Sequence, residues 1–177
     1  MTGRRTRTLR GALAGGAAAA VWAAQQPLDM RVFGVPYDDT ELLGKWVTRG
    51  RAWRVVGLAV HVQLGAAFGA VYAQVAPGVP APPVLRGPLA GLGEHLATWP
   101  GTALIGRVHP AAGELPQLWG SGRAFAQATW RHLLFGAVLG ELERRLNSPR
   151  PMTDARAATN GHGRVEDLGV PATVDAP

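Results

Sequence analysis

Apolar and polar residues alternate along this chain in long blocks, not residue by residue. The apolar blocks cover residues 9–28 (LRGALAGGAAAAVWAAQQPL), 53–75, 85–105 and 123–142. Crossing a hydrocarbon core of about 30 Å takes about 20 mostly apolar helical residues, and all four blocks approach that length. The pattern predicts an all-α protein, a polytopic membrane four-helix bundle. Block 53–75 is the most continuous, whereas block 85–105 carries Glu94, His95 and Pro100. Gln25 and Gln26, followed by Pro27, predict the end of the first span. Pro100 predicts a kink or stop at the comparable place in the third.

Between the first two blocks, residues 38–51 read DDTELLGKWVTRGR. Asp38 fits an N-cap with Glu41 three residues on, and Leu42, Leu43, Trp46 and Val47 then share a face. This predicts a short helix in the membrane interface with Trp46 as its anchor. The corresponding ELPQLW, which ends on Trp119 as a second anchor, is shorter and broken by Pro116. Residues 147–177 lack apolar periodicity and predict a disordered tail. The membrane domain is accordingly expected to be residues 1–146.

The two halves resemble each other. LRGALAG at residues 9–15 matches LRGPLAG at 85–91 in six of seven positions, at an offset of 76. Glu41, Leu42 and Trp46 match Glu114, Leu115 and Trp119 at offset 73. His61, Gly65, Ala66 and Gly69 match His132, Gly136, Ala137 and Gly140 at offset 71. The matches run in order, as a duplication with small deletions would leave them. They predict two tandem helical hairpins, at about 9–75 and 85–146, related by a pseudo-twofold axis along the membrane normal. Each predicted span also carries GxxxG: Gly11/Gly15, Gly65/Gly69, Gly87/Gly91 and Gly136/Gly140. Small residues at this spacing let helix backbones approach in lipid, within one chain or between two copies in a homodimer.

Charge alters this picture little. The 177 residues carry a formal +6, which invites a nucleic-acid reading, but Lys45 is the single lysine among 18 basic residues. The arginines border the apolar blocks, as membrane proteins place them. The expected partner is therefore the lipid bilayer, with no nucleic acid. An Arg-heavy, Lys-poor balance suits a GC-rich bacterial genome and hence the bacterial cytoplasmic membrane. Arginines near both termini slightly outweigh those of the loops, which puts the termini in the cytoplasm. With no cysteine, disulfides and thiolate chemistry are excluded. Arg4, Arg5 and Arg7 before an Ala-rich run also resemble a signal peptide, but the repeat makes that segment half of a structural unit.

Five ionisable residues fall inside the predicted spans: His61, Glu94, His95, Arg131 and His132. His61 lies eight residues into its block, about 12 Å deep at 1.5 Å per residue, and the others are comparably deep. A charge at that depth costs on the order of 2.5–3.5 kcal/mol and seeks a partner. Glu94 and Arg131 are the expected ion pair. One reading makes the group a proton-handling or metal-binding cluster; the other, adopted here, makes it a set of interhelical hydrogen bonds. No residue is assigned as a metal ligand. His109 and His162 fall in a loop and in the tail, where solvation is expected.

There is no G-x-S-x-G, phosphate-binding glycine loop or HExxH, so no enzyme and no cofactor is expected. The Gly-rich opening span ending before a proline, HVQLGAAFGAVY, GPLAGLGEHLATWPGTALIG and the closing GELERRL resemble the YagU-like bacterial inner-membrane proteins. That resemblance covers about residues 9–146 and implies a small multi-span inner-membrane protein without implying a mechanism; the polar intramembrane core is read as serving a structural or accessory role. A small transporter or proton-responsive protein is the alternative.

Overall fold

A computed structural model of the chain describes residues 2–148, and these are helical with no strand. The helices are α1 (Thr2–Phe33), α2 (Asp39–Val47), α3 (Trp53–Val75), α4 (Pro83–Thr98), α5 (Thr102–Val108) and α6 (Gly122–Asn147), joined by short loops and 3-10 turns. Residues from 149 onward, with most of the expected tail and His162, lie outside the described residues.

Helix α3 keeps the bounds read from its apolar block. Helix α1 does not: it runs through Pro27 to Phe33. Proline lacks an N–H and removes one helical hydrogen bond, but side chains on both sides of it hold the helix: Trp22 and Gln26 reach Asp39 of α2, and Asp29 beyond it reaches α6. Its true stop is Gly34, whose φ of 64° is the left-handed conformation that closes a helix. The third block breaks where Pro100 predicted, the 3-10 turn Trp99–Gly101 separating α4 from α5. Among the described residues only one helix, Trp53–Gly78 including its 3-10 extension, is long and apolar enough to cross a membrane. Just 28% of its most apolar window is buried, the rest being exposed or half-buried.

Helix α1 packs on α3 and on α6, and α4 packs on α6, which orders the long helices α3–α1–α6–α4. All eight GxxxG glycines are buried in these contacts. A Cβ on Gly15 or Gly69 would strike the facing backbone of the other helix in the α1–α3 pair, and one on Gly87 or Gly136 would do so in the α4–α6 pair. The glycine faces offered for a homodimer are therefore occupied within one chain. A further pair went unread in the sequence: Gly44 of α2 and Gly57 of α3 let those helices touch backbone to backbone.

Gly91 corrects the register that the repeat implies. In the first seam Gly11 meets the Gly69 carbonyl and Gly15 the Gly65 carbonyl. By the sequence match, Gly87 should then face Gly140, and Gly91 should face Gly136. Instead the Gly136 carbonyl stands over Gly87, and Gly91 lies against the carbonyl of His132, which is not a glycine of either motif. The second seam is thus shifted by one helical turn, about 5.4 Å. Any helical residue offers the same backbone carbonyl, so a small residue at 91 admits close approach without a glycine opposite.

The short helix predicted after Asp38 is α2. The Asp38 carboxylate accepts from the backbone N–H of Thr40 at 2.7 Å and of Glu41 at 3.2 Å, while the Glu41 side chain pairs forward with Lys45. Leu42 and Leu43 are half-buried, and Trp46 and Val47 are exposed, as is Trp119. His109 corrects the expectation of a solvated side chain. It is buried, its Nε2 2.9 Å from the Leu42 carbonyl and its Nδ1 accepting from Ala111 N–H at 3.0 Å.

Burial runs against the rule for water-soluble proteins. The largest side chains shut wholly inside are Arg131, Leu139, His95 and Gln127. Leu9, Leu13, Leu28, Val55, Val71 and Val84 stand exposed on the outer surface, among others of their kind. Around the buried residues the apolar core is made largely of Ala14, Ala18 and Ala19 with Trp22, Phe135 and Leu139.

Candidate functional site

Two polar systems occupy the interior, divided by the turn of α6. Consecutive helical residues point about 100° apart, so Arg131 faces α1 while His132 faces α4. The expected Glu94–Arg131 pair consequently does not form. Glu94 instead meets His132, Oε2 to Nε2 at 2.6 Å. The one-turn shift at Gly91 belongs to the same contact: the His132 backbone rests on Gly91, and its ring reaches Glu94 three residues further along α4.

Arg131 is fully buried and makes four hydrogen bonds. Its Nε donates to Asp29 at 2.7 Å, its Nη1 to Asp39 at 2.6 Å and its Nη2 to Asp29 and to the Tyr37 carbonyl at 2.8 Å. Gln127, one helical turn earlier, donates to Asp29 at 2.7 Å and to the Val35 carbonyl at 3.2 Å. Gln26 donates to Asp38 and accepts from Asp39 N–H at 2.9 Å. This network ties the ends of α1 and α2 to the middle of α6. Burial, then the neighbouring Asp39, pushes the Tyr37 phenol well above its ordinary range, so it stays neutral.

The second system lines a cavity of about 660 Å³ between α3 and α4, two helices that share no extensive packed face. His61, Glu94, His95 and His132 all border it, so four of the five predicted residues come together and Arg131 does not. Its walls are otherwise mainly apolar, with Trp22, Leu64, Phe68, Trp99 and Phe135, and exposed Leu64 and Val71 mark its lateral mouth. Trp22 is the hub. Its indole lies edge-on to His61 at 5.2 Å and to His132 at 4.6 Å, and its N–H donates to Asp39 at 2.9 Å. Trp22 thereby couples the Arg131 network to the cavity.

Several polar atoms of the wall have partners. His132 Nδ1 lies 2.7 Å from the Ala128 carbonyl, and His95 Nε2 lies 3.0 Å from the Thr129 hydroxyl. Thr98 and Thr102 donate to the backbone carbonyls of Glu94 and Trp99 at 2.9 and 2.7 Å. His61 differs: it is 8% exposed and its Nε2 has no hydrogen-bond partner. Its ring also interacts with the Ala19 backbone on α1. Among the described residues no group of three His, Asp or Glu is arranged to hold a metal ion.

Asp29, Asp39, Gln127 and Trp22 went unread in the sequence. Gln127 and Arg131 share a helix face at i, i+4, which marked a polar stripe needing an acid. Asp29 looked like loop because Pro27 looked like a stop. No protein-family model matches the chain, and neither a curated protein nor a solved structure is found to be similar to it.

Proposed function

We propose that this chain is a small multi-pass integral membrane protein of four spans in two tandem hairpins. It acts without catalysis, as an accessory or carrier protein that holds a small amphipathic molecule in the cavity between α3 and α4. The observation that carries the reading is the inverted burial: charged and amide side chains fill the interior while leucines and valines face outward. In water that arrangement exposes apolar area at about 25 cal/mol per Å²; in lipid the same surface is solvated and the polar groups satisfy one another.

The hairpin repeat is supported by like contacts in both halves, with the second seam shifted by one turn. Glycines seal α1 to α3 and α4 to α6. A pseudo-twofold axis would give the α1–α6 contact a mate between α4 and α3. The cavity stands where that mate would be. Arg7 of α1 reaches Glu143 of α6 at 2.7 Å, which favours both termini on one side, the cytoplasmic side of a bacterial inner membrane. Exposed Trp46 and Trp119 suit the opposite interface.

Washing isolated membranes with alkaline carbonate tests the reading. The protein is expected to stay with the membrane and to enter solution only with detergent; release by carbonate alone overturns it. The Glu94–His132 pair on the cavity wall favours a second reading, proton-linked transport. In proteoliposomes, Glu94→Gln at unchanged protein level should then lower proton or solute flux, and an unaltered flux removes that reading.

A further inference from the structure

A smaller pocket, of about 230 Å³, opens where the end of α3, the start of α4 and the end of α6 meet. Arg7, Arg86 and Arg144 border it together with the acid Glu143. Two of these arginines are matched, Arg7 by Glu143 at 2.7 Å and Arg144 by Glu141 at 2.8 Å. Half-buried Arg86 pairs with no carboxylate among the described residues. Its Nε donates to the Ala81 carbonyl at 2.9 Å, which leaves its two Nη groups for a ligand. Ala81 sits in a loop with Pro77, Pro80, Pro82 and Pro83. Each proline fixes its own φ, so the anchor of Arg86 is stiff. The positive end of α4 and the negative ends of α3 and α6 oppose one another here, and the unmatched guanidinium decides the sign of the pocket.

A neutral donor stands on the same wall. Tyr72 is 7% exposed, and its hydroxyl lies 3.3 Å from where a Cβ on Gly140 would be. Tyr72 and Gly140 both border the pocket. The hydroxyl has no hydrogen-bond partner among the described residues. It is not one of the unpartnered side-chain atoms sealed from solvent, which are His61 Nε2 and Gln127 Oε1, so it keeps access to the pocket.

A cationic ligand would bring a second positive charge beside Arg86, whereas a phosphate matches a guanidinium in both charge and geometry. Sites for drug-sized ligands begin at about 300 Å³. This pocket therefore takes a headgroup-sized anion and leaves any hydrocarbon chain outside. Val75 and Val84 stand 57% and 75% exposed on the flanking turns of α3 and α4, an apolar surface on which such chains can lie. Basic pockets between spans at the cytoplasmic side are suited to lipid headgroups.

We infer that this pocket binds the phosphodiester of a membrane phospholipid, with Arg86 and Tyr72 donating to its non-bridging oxygens and the acyl chains outside along α3 and α4. The lipid source rests on the membrane reading, while the phosphodiester chemistry does not, and the test separates the two. The full chain in detergent micelles is titrated with dioleoylphosphatidylglycerol, whose charge is that of its diester, and bound lipid is counted by native mass spectrometry. Dioleoylglycerol, oleate and water-soluble dimethyl phosphate compete.

One saturable phosphatidylglycerol is expected, held about tenfold or more tighter than dioleoylglycerol, the value of a charge-assisted hydrogen bond. Arg86→Gln should remove about that preference, and Arg86→Lys, which keeps the charge, should lose less. Tyr72→Phe removes only the hydroxyl and should weaken binding several-fold; it carries the test should Arg86→Gln not fold. Arg145→Gln changes net charge equally at the same end of α6 but outside the pocket, and should matter little. Equal binding of phosphatidylglycerol and dioleoylglycerol, or an Arg145→Gln loss as large as that of Arg86→Gln, overturns the site. Tighter binding of oleate overturns the phosphodiester. Displacement by dimethyl phosphate at equal concentration overturns the lipid source and leaves the phosphodiester. Arg86-dependent binding of dimethyl phosphate by a chain that carbonate releases removes the membrane reading and keeps the pocket's chemistry.

Discussion

Arg131 of α6 grips both carboxylate oxygens of Asp29 on α1, the two residues being 102 positions apart. Both side chains are almost wholly buried. Removing one partner of a buried pair strands the other without compensation, at about 3–5 kcal/mol. Arg131→Met and Asp29→Leu should each lower stability in mixed micelles by about that much, and the double variant by far less than the sum. Additive losses would mean that the pair is not coupled.

The glycine seams carry the second prediction. Gly65→Val and Gly136→Val push a side chain into facing backbone on α1 and α4 and should each cost about 1–3 kcal/mol or more. Gly93, also helical, has open space where a Cβ would stand, so Gly93→Ala should be neutral or stabilise by about 0.5–1 kcal/mol. Thermal melting in detergent compares the three. Equal losses at Gly93 and Gly65 would contradict the seam.

Much of this arrangement could be read from local pattern. The apolar block at 53–75 is α3 to the residue, Asp38 caps α2, and the GxxxG glycines lie in the helix contacts. The depth of His61, Glu94, His95 and His132 along their helices was enough to bring them to one cavity. Pairing choice was less legible. Whether Glu94 meets Arg131 or His132 depends on how far α6 is rotated against α4 and α1, which no single helix encodes. Whether Gly91 faces Gly136 or His132 depends likewise on how far the two helices slide. Asp29 was hidden by Pro27, because a proline stops a helix only when tertiary contacts do not hold the turn beyond it. His109 looked solvated for a related reason, since its partners lie on α2 and in its own loop.

His109 holds the loop after α5 against α2, with its ring also 4.9 Å from Trp46. His109→Phe keeps an aromatic ring and leaves the Leu42 carbonyl and Ala111 N–H without their partner. The expected cost is about 1–3 kcal/mol, seen as faster amide exchange in residues 39–47 and 109–114 with α3 unaffected. Unchanged exchange in α2 would show that other contacts hold it.

The same loop is tied to α2 by charge, and that tie is pH-dependent. Glu114 accepts from Lys45 at 2.6 Å and from Arg49. These hydrogen bonds, Lys45's first, hold its carboxyl below the ordinary glutamate range. A carboxyl more acidic in the folded than in the unfolded chain stabilises fully above the unfolded value. That stabilisation is lost as pH falls through the folded value. Docking of the loop should hence be constant from neutral pH down to the ordinary glutamate range, and weaken only below it. Glu114→Gln should be loosened at every pH, and added salt should weaken the wild-type tie, because exposed charges are screened over about 8–10 Å. Carboxyl carbon shifts of Glu114 across a pH titration give its midpoint directly. A midpoint at or above the ordinary glutamate value would mean that the bridge to Lys45 and Arg49 does not persist in solution.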